Sequence, residues 1–185
     1  MPFGSLWLPV VVSAVAVFVA SSIVHMLMRH HKDDYKGLSN EDDVRSAIRK
    51  GSPAPGFYVI PYCPDPSQMK DPAVAKKYTD GPVALVTIVK SGLPRMGKHL
   101  GQWFAFCFLT SFVAAYVARH TLAPGAEPLT VWRITGTVAF AAYGIGAIPD
   151  SIWKGLPWGN TARALADALA YALLTGLTFR LLWPA

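Results

Sequence analysis

The sequence contains few charged residues, and the first part of the chain has none. Only 15% of its 185 residues are Asp, Glu, Lys or Arg, while 52% are hydrophobic, and the first of these charged residues is Arg29. Soluble domains carry about 25% charged residues. The shortage of charge therefore argues against an ordinary soluble domain and favours a membrane protein.

Several motifs that identify enzymes and cofactor-binding proteins are also missing. The sequence has no phosphate-binding loop, no paired Cys or His motif and no internal repeat. Its two cysteines, Cys63 and Cys107, lie far apart, and Cys107 is inside an apolar run, so a disulfide framework is not indicated. These absences favour a protein without enzymatic activity.

Positive charge exceeds negative charge by six residues, with 17 Lys and Arg against 11 Asp and Glu. A basic protein with long apolar runs places its cations against anionic lipid headgroups. We therefore expect membrane lipids as partners and no nucleic acid.

Four apolar stretches are long enough to cross a bilayer, which requires roughly 20 residues of helix. They cover residues 6–28, 100–118, 129–149 and 164–182, and all six tryptophans lie near their ends, as is typical of membrane interfaces. The first stretch could instead be a secretory signal, but no Lys or Arg precedes it and no clear cleavage site follows, so we expect a retained anchor.

The predicted fold is an all-α membrane protein with four transmembrane helices and a small α+β polar cap between helices one and two. Residues 1–28 form helix one, residues 29–98 form the polar segment, and residues 99–185 contain helices two to four. Within the segment, a capped helix precedes Gly51, and two strands, 57–60 and 84–89, flank a short helix over 72–78.

The polar segment indicates an orientation. Residues 29–98 hold twelve of the 17 Lys and Arg and eight of the 11 acids. The positive-inside rule places this segment in the cytoplasm, with the N-terminus and the C-terminus outside.

Small residues recur along two of the predicted helices. Helix packing in a membrane depends on small residues that let backbones approach. In the fourth helix they occur at every fourth position, and in the third they follow i, i+4, i+7, i+11 spacing, namely Ala164, Ala168, Ala172 and Gly176, and Thr135, Ala139, Ala142 and Gly146. We expect both stripes to face other helices.

Asp167 is the strongest candidate functional residue, because an ionisable group inside a span costs about 2.5–3.5 kcal/mol on insertion scales. Tyr171 follows one turn later and is able to donate a hydrogen bond to it. The alternative is a shallow carboxylate paired with Arg163, four residues earlier.

The predicted topology places one polar side chain from each helix at a similar depth, namely His25, His99, Asp150 and Asp167. Such a ring is suited to bind a divalent metal ion or relay a proton, and the His25 and His99 pair is suited to hold a haem or another pigment. A purely structural polar cluster stays open as the third interpretation. His30, His31 and His120 are expected to be ordinary interfacial residues.

Three segments carry a resemblance, namely residues 81–104 (GPVALVTIVKSGLPRMGKHLGQWF), residues 148–158 (IPDSIWKGLPW) and the LLWP near the C-terminus. They resemble a group of small bacterial inner-membrane proteins with four helices. The resemblance implies a bacterial source and a four-span fold, and it transfers no activity and no catalytic residue.

The sequence thus predicts a non-enzymatic membrane protein of the bacterial inner membrane, an accessory or stabilising subunit of a larger membrane complex. Other membrane protein subunits are then its partners. One alternative is an ion or proton transport protein that uses the Asp and His cluster. Another is a haem, pigment or metal-binding membrane protein.

The orientation is tested with Cys63 in a variant whose Cys107 is replaced by Ser. In intact cells we expect a membrane-impermeant maleimide not to label Cys63, because the polar segment is cytoplasmic, and to label the added cysteine of an Ala185→Cys variant. Ready labelling of Cys63 in unbroken cells would show that the orientation is inverted.

Overall fold

The computed structural model describes residues 3–185, apart from the side chains of Phe3 and Arg29. Most of this chain is helical, with one two-stranded sheet. The elements, in chain order, are α1 (Trp7–Met26), α2 (Glu41–Gly51), β1 (Gly56–Ile60), α3 (Pro72–Asp80), β2 (Ala84–Ile88), α4 (Met96–Thr121), α5 (Pro128–Tyr143), α6 (Ile148–Lys154) and α7 (Trp158–Leu182). Short 3₁₀ turns occur at Phe3–Leu6, Arg29–His31, Pro66–Lys70 and Ile145–Ala147.

Four helical stretches are long and apolar enough to cross a membrane, as the sequence predicted. They are Gly4–Met26, Met96–Thr121, Pro128–Lys154 and Trp158–Leu182. The last three helical stretches extend past their apolar runs, because interfacial polar residues also adopt helical structure. α7, for example, begins at Trp158, six residues before the predicted start at Ala164.

The third stretch is not one continuous helix. α5 ends at Tyr143, a 3₁₀ turn follows, and α6 begins at Ile148. Pro149 lacks a backbone N–H and its ring would meet the carbonyl four residues earlier, which explains a break at this point. α6 then ends at Lys154, and the next residue, Gly155, has a φ of 67°, in the left-handed region that favours glycine.

The chain divides into two compact units. One contains the residues up to Tyr35 together with Arg95–Ala185, and therefore all four long stretches. In it, α1 packs against α4 and α7, and α5 packs against α4 and α7. The other unit is Lys36–Pro94, in which β1 and β2 pair in antiparallel register, with Tyr58 opposite Val86.

Small residues bring α5 and α7 into close backbone contact. A Cβ atom added at Gly136 would lie 3.3 Å from the Ala172 carbonyl oxygen, and one added at Gly176 would lie 2.8 Å from the Trp132 carbonyl oxygen. At the far end of α5, a Cβ atom on Gly144 would lie 2.8 Å from that of Ala168. Larger side chains at these positions would force the two helices apart.

The four α7 residues of the predicted stripe differ in burial. Ala168, Ala172 and Gly176 are buried, whereas Ala164, nearer the helix start, is only partly buried. On α5, Thr135 and Ala139 are buried, but Ala142 and the following Gly146 are exposed. The buried positions follow i, i+4 spacing on both helices, as when i±4 ridges pack together. The prediction that Ala142 and Gly146, the i+7 and i+11 positions of this stripe, face other helices was therefore wrong.

The interior of the helical unit contains small and polar side chains as well as some large apolar ones, and many large apolar side chains are exposed on its surface. Ser13, Ser111, Thr135 and Thr175 are fully buried, and the Ser111 hydroxyl donates to that of Ser13 across α4 and α1. The exposed residues include regularly spaced large apolar side chains on two helices, namely Val11, Val15, Val19 and Ile23 on α1 and Leu169, Leu173, Leu177 and Leu181 on α7.

The contact between α5 and α7 is tested by an Ala172→Leu variant. We expect it to lose about 1–3 kcal/mol of unfolding free energy in detergent, because overpacking a tight contact forces backbone shifts. Ala170→Leu, on the exposed side of the same helix, is the matched control and should change stability by less than about 0.5 kcal/mol. Equal stability of the two variants would contradict a packed interface at Ala172.

Candidate functional site

The buried carboxylate of Asp167 lies at the centre of a polar cluster in the helical unit. Asp167 is on α7, and only 11% of its side chain is exposed. His30 Nε2 lies 3.0 Å from its Oδ1 atom, and His31 Nε2 lies 2.6 Å from its Oδ2 atom. His25 Nε2 is 3.9 Å from the same Oδ2 atom. Three imidazoles thus surround one carboxylate.

The chain brings these histidines together by turning sharply after α1. His25 is in the last turn of α1, which ends at Met26, and His30 and His31 are in the 3₁₀ turn that follows. The His31 ring lies between the other two, with ring centroids 4.6 Å from that of His25 and 4.1 Å from that of His30. This turn therefore places His25, His30 and His31 in one cluster that faces Asp167 on α7.

His31 contacts two carboxylates, one through each ring nitrogen. Its Nδ1 atom is 2.6 Å from Asp34 Oδ2, while its Nε2 atom contacts Asp167. Burial by itself lowers the pKa of His31, but the hydrogen bonds to Asp34 and Asp167 outweigh it and raise the pKa above its ordinary value. Because carboxylates only accept hydrogen bonds, this arrangement stabilises a doubly protonated ring.

Asp34 connects this cluster to the start of α7. Arg163 donates to Asp34 Oδ1 from Nε at 2.7 Å and also from Nη2, and the Asn160 amide donates to the Asp34 carbonyl oxygen at 3.3 Å. The hydrogen bond from His31, together with Arg163, holds the pKa of Asp34 below its ordinary range. Asp34 thus joins His31 on one side to Arg163 on the other.

Three of the clustered residues are suitably placed to hold a metal ion. Each of His25, His31 and Asp167 offers one ligand atom, and these atoms lie within 4.8 Å of one another. Zinc bonds of about 2.0–2.2 Å in a tetrahedral site place neighbouring ligand atoms about 3.3 Å apart. The observed separations of 2.6 and 3.9 Å to Asp167 Oδ2 lie on either side of that value, so small side-chain movements suffice.

The four predicted site residues occupy different places. His25 and Asp167 lie in the cluster, whereas Asp150 forms an ion pair with Lys154 on α6, at 2.7 Å. His99 is not in the metal-ligand group but lines a cavity together with His25. Among the described residues, the Tyr171 hydroxyl is buried without a hydrogen-bond partner, so the expected bond to Asp167 is absent.

Sequence reasoning missed the residues that make the closest contacts with Asp167. His30 and His31 were expected to be ordinary interfacial residues, and Arg163 was considered as the partner of Asp167, whereas it pairs with Asp34. A usable signal was present in the stretch HHKDD at residues 30–34, where a histidine precedes an aspartate by three positions just after an apolar span.

Comparisons with known proteins do not assign a family. No family model matches the chain, and no curated protein and no solved structure matches it. The resemblance described from the sequence stays a prediction.

The connection made by Asp34 is tested by an Asp34→Ala variant. We expect amide hydrogen exchange over residues 27–35 to accelerate about tenfold to a hundredfold, because hydrogen bonds to charged groups contribute roughly 1.5–3 kcal/mol. Asp33→Ala, which removes the exposed neighbouring acid, is the control and should leave the exchange rates unchanged. Unchanged exchange in both variants would show that Asp34 does not hold the segment in place.

Proposed function

We propose that this protein is a multi-pass membrane protein that binds a divalent transition-metal ion, of which Zn²⁺ is the representative, through His25, His31 and Asp167. The observation that carries the proposal is the convergence of three ligand atoms within 4.8 Å of one another. Two imidazoles and one carboxylate suit first-row divalent metals. This was an alternative in the sequence analysis, and the geometry favours it over the others.

The surroundings of His31 support metal binding. Histidines that bind metal usually donate their other ring N–H to a carboxylate, which fixes the tautomer and the ring orientation. Asp34 accepts from His31 Nδ1 and is itself fixed by Arg163. A metal ion at His31 Nε2 would replace the proton that the ring shares with Asp167. The Asp167 carboxylate would therefore contact either the protonated ring or the metal ion.

His30 supplies a further group beside the three ligands. Its Nε2 atom bonds the other Asp167 oxygen, and its buried Nδ1 atom has no hydrogen-bond partner among the described residues. A tetrahedral ion held by three protein ligands keeps a fourth position for water or another donor. His30 is therefore placed either to hold Asp167 in position or to complete the coordination.

Membrane insertion is supported by the distribution of side chains in the helical unit. The interior contains many Ser, Thr, Ala and Gly residues beside larger ones such as Val10 and Phe179, while many Leu, Val and Ile side chains are exposed on the surface. Large exposed apolar surfaces indicate contact with a membrane or with a partner. We extend the proposal to the bacterial inner membrane, on the sequence resemblance, with residues 29–98 in the cytoplasm and both termini outside, on their Lys and Arg content.

The accessory-subunit role is retained as a second candidate, and one observation favours it. None of residues 36–94, all of which the structure describes, is buried, and apolar side chains of both strands are exposed, including Phe57, Val59 and Leu85. Two strands alone give little independent stability in water. A partner subunit that covers this unit would supply the missing burial.

The metal site is tested by zinc titration of the purified protein in lipid nanodiscs, with a competing chromophoric chelator. We expect one tightly bound Zn²⁺ per chain. His25→Ala and Asp167→Asn should each weaken binding by more than about a hundredfold, because loss of an outer-shell partner already costs about 10–100-fold.

His120→Ala is the control and should leave zinc affinity unchanged. His120 is exposed in the last turn of α4 and is not one of the three proposed ligands. The His25 ring is about half exposed, so its replacement removes a ligand with little loss of packing and separates metal loss from unfolding. Equal affinity in all four proteins, or no bound zinc in the unmodified one, would contradict the proposed function.

A further inference from the structure

A groove lies between α1 and α4, at the same end of the helical unit as the histidine cluster. Its volume is about 490 Å³, within the range of roughly 300–1,000 Å³ that is typical of small-molecule sites. Its lining combines two imidazoles with apolar side chains, namely His25, His99, Met26, Met96, Leu100 and Trp103.

One wall of the groove is fixed by a hydrogen bond. The Trp103 indole N–H donates to the Ser21 hydroxyl at 2.7 Å, which joins α4 to α1. The Ser21 hydroxyl in turn donates to the Phe18 carbonyl oxygen. The polar atoms at this wall are therefore already paired, and the Trp103 ring offers an apolar surface to whatever occupies the groove.

The charges of the two helices favour an anionic occupant. α1 contains no Asp, Glu, Lys or Arg, and α4 contains no Asp or Glu but does contain Lys98, next to His99. The nearest carboxylate to His25 is Asp167, which already bonds His30 and His31. An anion between the two imidazoles would meet hydrogen-bond donors, with no acid on either helix to repel it.

We propose that this groove binds a single-chain amphiphile of the fatty-acid type. Its carboxylate accepts hydrogen bonds from His25 and His99, and its chain lies against Leu100, Trp103 and the two methionines. A groove of this size suits one acyl chain better than the two chains of a phospholipid. The exposed Leu100 and Met96 side chains leave the groove accessible from the surrounding lipid.

This inference goes beyond the metal site and does not require it. The two sites share His25, but His99 belongs to the groove alone and Asp167 belongs to the metal-ligand group alone. Binding of the amphiphile is therefore measured on metal-free protein, and each site has a residue of its own to mutate.

The experiment uses the full chain in nanodiscs with EDTA and a stearic acid brominated along its chain, which quenches tryptophan fluorescence on contact. We expect a saturable component of the quenching, above the background from the exposed Trp7, Trp153 and Trp158, that is absent in Trp103→Phe. His99→Leu should weaken it by about tenfold or more, because a charge-assisted hydrogen bond is lost. His120→Leu, the matched change at the other end of α4, should have no effect.

Three results would overturn the inference. One is quenching that does not saturate and is equal in all variants, since it reports lipid partitioning alone. Another is equal binding of the corresponding brominated alcohol, which would remove the role of the anion. The third is equal quenching by a brominated phospholipid, which would point to bulk lipid in the groove. Zinc titration of a separate sample, without EDTA and without the fatty acid, tests the metal site, so absence of zinc binding there would contradict the proposed function and leave the groove intact.

Discussion

An ionised carboxylate inside an apolar helix bundle must be neutralised or hydrogen-bonded, because an unpaired buried charge is very costly. Asp167 meets this requirement with imidazoles from the segment that follows α1, and not with its neighbour on α7. Arg163 therefore binds Asp34 instead of Asp167, and Asp34 also orients His31 through a hydrogen bond. The ends of α1 and α7 are therefore held together by one continuous chain of polar contacts, and the candidate metal site and the groove both lie beside it.

Close backbone contacts and hydrogen bonds between helices recur in the interior of the bundle. Where the surroundings are as apolar as leucine, burial of large apolar side chains brings little gain, and association depends on close backbone approach and hydrogen bonds between helices. Gly136 and Gly176 allow close backbone approach between α5 and α7, and Ser13 and Ser111 form a hydrogen bond between α1 and α4. This Ser13 and Ser111 hydrogen bond joins the two helices that line the groove.

Much of the fold could be predicted from the sequence, because hydropathy, helix caps and strand composition act locally. The four long helices, a helix that ends at Gly51 and the two strands are all present, although Asn40 makes no side-chain capping hydrogen bond at the start of that helix. The site was harder, because its contacts depend on the turn after α1. Asp150 and Asp167 were expected to lie together because the sequence predicts a similar depth in the membrane for both. Asp150 instead pairs with Lys154, one turn away on the same helix. No periodicity in the sequence indicates that residues 30–31 fold back onto a residue 136 positions later.

The corner between α6 and α7 is held by a different kind of contact. Ser151 and Thr161 are both buried, and their hydroxyl groups are hydrogen-bonded to each other. This bond joins two neutral groups out of contact with solvent, so dissolved salt does not screen it, whereas the more exposed Asp150 and Lys154 pair weakens as ionic strength rises. The first two turns of α7, which carry Asn160 and Arg163, are therefore expected to keep their position at high ionic strength.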